Sequence, residues 1–229
     1  MTESPAPFSG FLTLNNLALV SNSPERFLHI APGRPRRIEA RPIKGTAGRG
    51  NDPVQDQARI ESLQRSLKDR AENLMIVDLM RNDLARVCRP GSVKVPDLFA
   101  VETFVNVHHL VSTVTGELKA EVSLGDIFRA TYPPGSITGA PKVQAMQVIA
   151  GLEPPRGPYC GSLFWAGYDG ALDSSVLIRT TALMRDGEGW AFKTHAGAGI
   201  VADSDPIAER RETETKILAI AKALSGVGV

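Results

Sequence analysis

The sequence predicts an α+β fold in which layered antiparallel β-sheets are flanked by helices. Three features support this class. Short apolar segments separated by Gly, Asn, Ser and Pro fill residues 8–43 and are typical of antiparallel strands. Apolar residues recur every three or four positions over residues 52–84, which is the period of a helix. More strand-like segments follow between residues 93 and 196, ahead of a last helical segment.

The first region predicts an antiparallel meander. Its strands are expected at 11–14, 17–20, 27–30 and 37–41, with Lys44 at the end of a further strand. The helical region then predicts one long helix or two helices that abut. Strand segments follow at 93–107 and 108–116, and a short helix is expected at 124–130.

The last third of the chain mixes helices and strands. Pro141 fits the first turn of a helix over 140–150, because its missing N–H would be unpaired there anyway. A final helix is expected to be capped by Ser204 or Asp205, with Pro206 in its first turn. The predicted strands are 161–168, 174–184 and 190–196, the last two forming a hairpin across 186–189.

Composition disfavours several classes of protein. The 229 residues carry 26 Lys and Arg against 25 Asp and Glu. The nearly neutral net charge therefore produces no strong electrostatic field that would attract a nucleic acid. Cys88 and Cys160 lie far apart without zinc-ligand spacing, which predicts reduced thiols. No segment reaches the roughly 20 apolar residues that span a bilayer, and no signal peptide is visible. We therefore expect a soluble, cytoplasmic protein with no nucleic-acid or membrane partner.

Acidic residues on two predicted helices are candidate functional groups. Glu209, Glu212 and Lys216 are spaced i, i+3 and i+7, so they share one helix face. Glu72 borders an apolar helical stretch, where a carboxylate needs a partner such as Mg²⁺. Ordinary salt bridges and helix capping are the alternative explanation for both patterns.

Other residues could bind or react with a small anion. Lys44 follows apolar neighbours, and a desolvated lysine can act as a nucleophile or base, although a solvated surface lysine is the alternative. The pair His108 and His109 predicts a structural role, with one imidazole inward and one outward. Residues 135–142 lead into a helix N-terminus, which favours a carboxylate or phosphate, or form a plain loop and cap. The Gly-Ala-Gly at 197–199 lets the backbone present N–H groups to an anion.

Seven segments carry a family resemblance, and they span nearly the whole chain. They are 23–27, 41–46, 72–83, 108–112, 135–142, 178–180 and 197–204. Together they closely resemble the chorismate-utilising enzymes, and among these component I of the aminodeoxychorismate synthases. The resemblance implies the chorismate-binding fold that is also found in anthranilate synthase component I.

The resemblance also implies roles for individual residues. Glu72 and Glu212 match Mg²⁺ ligands, with Glu209 in the same carboxylate cluster, and the metal would hold the ring carboxylate of chorismate. The positions that match substrate-binding groups are Gly45, Thr46, Ser136, Tyr159, Arg179, Gly197, Ala198, Gly199 and Lys216.

Three residues match groups that take part in the reaction. Lys44 resembles the nucleophile that adds to ring C2 as the C4 hydroxyl leaves, after which ammonia enters at C4 and expels the lysine. Anthranilate synthases usually carry Ala at this position. Glu25 matches the acid that protonates the departing hydroxyl, and His109 matches the histidine near the ring.

The implied activity is the transfer of an amino group to chorismate, giving 4-amino-4-deoxychorismate for 4-aminobenzoate and folate biosynthesis. Ammonia would come from a separate glutaminase subunit. The alternatives are anthranilate synthase component I and a non-catalytic fragment. Family members are considerably longer, so we expect residues 1–229 to form a chorismate-binding catalytic domain that lacks the family's N-terminal part.

Overall fold

The structure is a computed structural model that describes residues 6–202 and 204–225. The strands are β1 (Phe8–Leu14), β2 (Leu17–Ser23), β3 (Arg26–Ile30), β4 (Arg37–Ala40), β5 (Ile43–Gly48), β6 (Lys94–Thr103), β7 (Val107–Glu117), β8 (Ser162–Ala166), β9 (Leu172–Val176), β10 (Thr180–Asp186) and β11 (Gly189–Thr194). The helices are α1 (Pro53–Arg65), α2 (Leu67–Val87), α3 (Leu124–Thr131), α4 (Gly135–Thr138), α5 (Lys142–Leu152) and α6 (Pro206–Leu224).

Helix caps explain where the helices begin. Asp52 caps α1 by accepting a hydrogen bond from the N–H of Gln55, and Pro53 occupies the first turn. Ser66 ends α1 and also caps α2, so the predicted helical region is two abutting helices. Asp205 caps α6 as predicted, through its contact with the N–H of Ala208.

The strands form two sheets. One has four strands in the order β1-β2-β10-β11, and the predicted hairpin of β10 and β11 is confirmed. The other has seven strands in the order β5-β7-β4-β3-β9-β8, with β6 paired to β7. The prediction of one continuous meander is wrong, because β2 and β3 belong to different sheets. The chain leaves one sheet for the other at Pro24, which has no N–H to donate to a ladder.

The prediction of a single strand over 174–184 is also wrong. It is divided between β9 in the larger sheet and β10 in the smaller one. The N–H of Ile178 turns back to the carbonyl of Val176 at 2.9 Å, and Arg179 adopts a left-handed φ of 51°. This turn interrupts the ladder, although no Gly, Pro, Asn or Asp marks it in the sequence between Val176 and Leu183.

The chain divides into two compact units. Unit 1 comprises Met1–Glu25, Arg156–Leu163 and Ser175–Val229, and unit 2 comprises Arg26–Pro155 and Phe164–Ser174. The division passes through β8 and β9. In the described part of the chain, no helix is long and apolar enough to cross a membrane.

The core of unit 2 lies where α2 packs on β7. Ile76, Leu84, Leu110 and Val114 are at most 1% exposed, and burial of each such side chain contributes about 1.5–3 kcal/mol. The buried residues of α2 fall on one face of the helix, while β7 is buried along almost its whole length. This packing fixes the helix and the strand that carry several of the predicted site residues.

Candidate active site

Unit 2 brings β5 and β7 together at the predicted reactive residues. Thr46 pairs with His109 across the two strands, and its hydroxyl lies 2.9 Å from the Nδ1 atom of that imidazole. His109 is buried and also contacts the ring of Phe104, with the ring centroids 5.4 Å apart. The side chain of His109 is therefore held in one orientation beside β5.

A β-bulge on β5 carries Lys44. Ile43 pairs with Val111 and Thr46 with His109, so Lys44 and Gly45 together oppose the single residue Leu110. Gly45 has a φ of +96°, which favours glycine. Bulges of this kind redirect a side chain out of the regular alternation of a strand.

The side chain of Lys44 is half-buried in this bulge. Over residues 6–202 and 204–225, it takes part in no hydrogen bond or ion pair with another described residue.

His108 lies on the other face of β7. Its Nε2 atom is 2.8 Å from Oδ1 of Asp56, and its Nδ1 atom is 2.8 Å from the hydroxyl of Thr103. Hydrogen bonds from Arg49, from the N–H of Gly50 and from His108 hold the pKa of Asp56 well below its usual value. The prediction that one imidazole points outward is wrong, because both His108 and His109 are buried.

Glu72 and Ser136 occupy two other elements of unit 2. Glu72 lies on α2, half-buried, with a carboxylate oxygen 3.9 Å from Nζ of Lys68. Ser136 lies on the short helix α4, ahead of α5. Lys142, the first residue of α5, donates to Asp83 at 2.5 Å and to the carbonyl of Thr131 at 2.7 Å. This buried ion pair ties the segment after Ser136 to α2.

Unit 1 gathers several predicted substrate-binding residues around Tyr159. A Cβ atom at Gly197 would lie 3.0 Å from the Tyr159 hydroxyl, so the glycine permits that close approach. Nζ of Lys216 donates to the carbonyl of Gly197 at 3.1 Å and lies 2.5 Å from a carboxylate oxygen of Glu212. Ala198 and Gly199 continue the same loop towards α6.

Two residues that the sequence analysis missed flank Tyr159. The imidazole of His195 stacks on the phenol ring at a centroid distance of 5.0 Å and an interplanar angle of 13°. The guanidinium of Arg156 lies 5.7 Å from the centre of the same ring. His195 could have been found in the sequence because it lies two residues before Gly197, a predicted substrate-binding residue. A guanidinium and an imidazole beside Tyr159 suit the binding of a carboxylate.

Three further predicted residues lie elsewhere in unit 1. Glu209 is buried at the start of α6 and accepts a hydrogen bond from Ser204 at 2.7 Å. Glu25 is buried, and its carbonyl accepts from the N–H of Val176 at 3.0 Å. Arg179 sits at the turn between β9 and β10, where partial desolvation lowers the pKa of its guanidinium.

The carboxylates offer the oxygen ligands that Mg²⁺ prefers. Glu72 belongs to unit 2, and Glu209 and Glu212 belong to unit 1. Among the described residues, however, no group of three or more His, Cys, Asp or Glu side chains is arranged to hold a metal ion. The donor chemistry of these three carboxylates fits Mg²⁺.

Comparison with known proteins places this chain among enzymes. The family profile described as "chorismate binding enzyme" matches residues 1–222. Aminodeoxychorismate synthase component 1 of Salmonella typhimurium is 52% identical over 213 residues, which are 93% of this chain and 45% of that protein. Anthranilate synthase component 1 of Bacillus caldotenax is 42% identical over 222 residues, which are 96% of this chain and 42% of that protein.

A solved structure shares the fold. The crystal structure of anthranilate synthase component I from Streptococcus pneumoniae TIGR4 superposes with a TM-score of 0.81 at 34% identity, covering 94% of this chain and 46% of that chain. The predicted fold class is thereby confirmed. The chain spans slightly less than half the length of these relatives. Because the family profile extends over nearly all of its sequence, the chain belongs to the chorismate-binding enzymes.

Proposed function

We propose that this chain acts in the amination of chorismate to 4-amino-4-deoxychorismate. The observation that carries the proposal is Lys44, a half-buried lysine on a β-bulge beside the fixed imidazole of His109. Relatives named aminodeoxychorismate synthase component 1 support the same activity at 51–52% identity. The lysine favours this activity over anthranilate synthesis, since the resembling anthranilate synthases usually carry Ala at this position.

The proposed reaction has two steps. Nζ of Lys44 forms a bond to ring C2 while the ring double bonds shift and the C4–O bond breaks. Glu25 donates a proton to the departing oxygen, which leaves as water. Ammonia then attacks C4, the double bonds shift back, and the C2–N bond to Lys44 breaks. The reaction needs a free electron pair on Nζ of Lys44 and a proton on the carboxyl of Glu25.

We assign the binding of the substrate carboxylates to predicted substrate-binding residues of unit 1. Arg179, Lys216 and the backbone of 197–199 supply positive charge and N–H donors, and Tyr159 supplies a hydroxyl. The remaining pocket positions are Gly45, Thr46 and Ser136. Mg²⁺ remains part of the proposal: Glu72, Glu209 and Glu212 would hold it, and it would bind the ring carboxylate.

Ammonia is expected from a glutaminase partner. The relatives' name, component 1, implies a second component, and this sequence has no Cys/His glutaminase signature of its own. The product would serve the synthesis of 4-aminobenzoate and folate, and we expect a cytoplasmic location for that pathway.

The test is to incubate the chain with chorismate, Mg²⁺ and ammonium ions and to identify the product by liquid chromatography and mass spectrometry. We expect aminodeoxychorismate. Fluorescent anthranilate without aminodeoxychorismate would instead support the second candidate, which the similarity to the Bacillus and Streptococcus enzymes favours. A well-folded chain that turns over no chorismate would show a non-catalytic fragment.

The Lys44→Ala variant tests the nucleophile. We expect amination to fall by at least about a hundredfold, because the covalent step is lost, while the affinity for chorismate measured by calorimetry stays close to that of the wild type. Lys94→Ala is the matched control, since Lys94 is exposed on β6 in the same unit. Equal turnover by the Lys44→Ala and Lys94→Ala variants would refute the role of Lys44.

A further inference from the structure

A buried asparagine joins α2 to β7 in the core of unit 2. Asn73 has no exposed surface, and an unpaired amide at such a place would cost about 1–3 kcal/mol. Its Nδ2 atom donates to the carbonyl of Leu110 at 3.2 Å, and its Oδ1 atom accepts from the hydroxyl of Ser112 at 2.6 Å. Both partners lie on β7, so one side chain fixes the helix to the strand at two points.

The second partner of Asn73 also holds an irregularity of β6. Ser112 is fully buried, and its Oγ atom accepts a hydrogen bond from the N–H of Phe99 at 3.0 Å. Phe99 has a left-handed φ of 59° and lies where the register of β6 shifts between Asp97 and Ala100. Such a conformation costs an aromatic residue about 1–3 kcal/mol, so its surroundings must hold it in place.

Helix α2 also contacts Phe99 directly, through Arg70. The guanidinium of Arg70 lies over the ring of Phe99 at 4.8 Å from its centre. Arg70 and Asn73 are three residues apart, so they share one face of α2. The helix is therefore attached to the bulge of β6 through Phe99 and to β7 through Ser112.

Leu110, the first partner of Asn73, lies opposite the bulge of β5. This bulge carries Lys44 and Gly45. Leu110 also directly follows His109. The asparagine thus holds β7 at the point where the proposed nucleophile and the proposed active-site histidine are placed.

We propose that Asn73 and Ser112 are positioning residues that set the place of Lys44 and His109 by holding β7 between the bulges of β5 and β6. Neither touches the substrate in this proposal, and the inference rests on the proposed function. Loss of the hydroxyl of Ser112 frees one side of the Asn73 amide and the N–H of Phe99. The strand can then shift relative to β5, and Lys44 loses its alignment.

The test compares Ser112→Ala with Ser174→Ala. Ser174 is a matched control, because it is also buried in unit 2 and its Oγ atom also makes two hydrogen bonds, to the N–H and the carbonyl of Leu28 at 2.9 and 3.0 Å. Both variants should lose similar free energy of unfolding. Only Ser112→Ala should lower kcat, by about tenfold or more, with a smaller change in KM. Equal kinetics in the two variants would overturn the proposal.

A second readout does not depend on turnover. The rate of acetylation of Lys44 by acetic anhydride, relative to exposed Lys94, is measured by mass spectrometry. We expect this ratio to change in Ser112→Ala and to keep its wild-type value in Ser174→Ala. If the wild type has no activity on chorismate, the proposed function fails while this ratio still decides the positioning role. Ser112→Cys, which keeps a weak donor, replaces Ser112→Ala if the latter does not fold.

Discussion

Gly45 occupies a place where both backbone conformation and space exclude a side chain. A Cβ atom there would lie 3.0 and 3.1 Å from Cβ and Cγ of Asp69 and 3.1 Å from Cδ1 of Leu63. Gly91 also has a positive φ, of 75°, but a Cβ atom added to it would meet nothing within 4 Å. Comparing alanine variants of the two glycines therefore separates the free-energy cost of crowding from the free-energy cost of the left-handed backbone conformation.

We predict that Gly45→Ala lowers the free energy of unfolding by about 2–4 kcal/mol, and Gly91→Ala by only about 1–2 kcal/mol. Urea denaturation followed by circular dichroism measures both values. Equal losses would show that Leu63 and Asp69 can move away from residue 45 without cost.

Asp56 makes the stability of the protein depend on pH. The group is ionised at a lower pH when folded than when unfolded, chiefly because Arg49 donates hydrogen bonds to it. Its carboxylate therefore stabilises the folded chain above the unfolded pKa of about 3.9, and that stabilisation is lost as the pH falls towards the folded pKa.

We predict that the difference in unfolding free energy between the wild type and Asp56→Asn is full at pH 6 and shrinks as the pH falls towards 3. Denaturant titrations at several pH values give this difference. Asp78→Asn is the control, because Asp78 forms an exposed pair with Arg81 and should contribute little at any pH. A difference for Asp56→Asn that stays constant down to pH 3 would contradict the prediction.

Much of the candidate site can be predicted from short motifs, but its supporting residues cannot. Lys44, Thr46 and His109 stand out because they belong to segments that resemble a family. Asp56 lies outside these segments, and its partner His108 is 52 residues away in the sequence. Asn73 lies within segment 72–83, but its partners on β7 are 37 and 39 residues away, so the motif does not indicate its role. Only the pairing of β5, β6 and β7 brings these groups together.

At the scale of elements, an ion pair joins the start of α5 to α2. Asp83 and Lys142 have side chains that are only 5% and 13% exposed, and burial raises the pKa of Asp83 although Lys142 opposes that change. Removal of the lysine alone would leave a buried carboxylate without its cation. Replacement of both residues by apolar ones avoids that cost.

We predict that Lys142→Met lowers the free energy of unfolding by about 3–5 kcal/mol, and that the double variant Asp83→Leu with Lys142→Met recovers much of this loss. Thermal and chemical denaturation measure both. Lys68→Met is the control, because Lys68 is 60% exposed and 3.9 Å from its partner Glu72, so its loss should cost less than about 1 kcal/mol. A double variant no more stable than Lys142→Met would contradict the ion-pair explanation.

The sequence predicts helices that begin near Asp52 and at Ser204 or Asp205, but it does not decide between one long helix and two around Ser66. Asp52, Ser66 and Asp205 begin helices because their side chains accept from free N–H groups. The turn at 177–179 has no such mark: its apolar residues continue the strand pattern, and the left-handed conformation falls on an arginine. The passage of the chain from the larger sheet to the smaller one between β9 and β10 therefore could not be predicted from the local sequence pattern.

At the scale of the whole molecule, the paired strands are separated by very different lengths of chain. Strands β6 and β7 are neighbours in sequence and pair directly. Strand β2 pairs with β10, and the hydroxyls of Ser21 and Thr180 that meet there are 159 residues apart. Closing a longer loop costs more conformational entropy, so local pairs form earlier.

We predict that, during refolding from denaturant, the amides of β7 gain protection before those of β2 and β10. Pulsed hydrogen–deuterium labelling with mass spectrometry reports the order. The amides of α2 serve as an internal reference, because α2 packs on β7 and should be protected with it. Protection of β2 and β10 at the same time as β7 would show that both units form in one step.

The neighbouring imidazoles of β7 restrict how the length of this strand can change. His108 meets Asp56 on one face, and His109 meets Thr46 on the other. A one-residue insertion or deletion before them within β7 would exchange the two faces, while a two-residue change would restore the alternation. Over evolution, β7 should therefore lengthen or shorten only in steps of two residues.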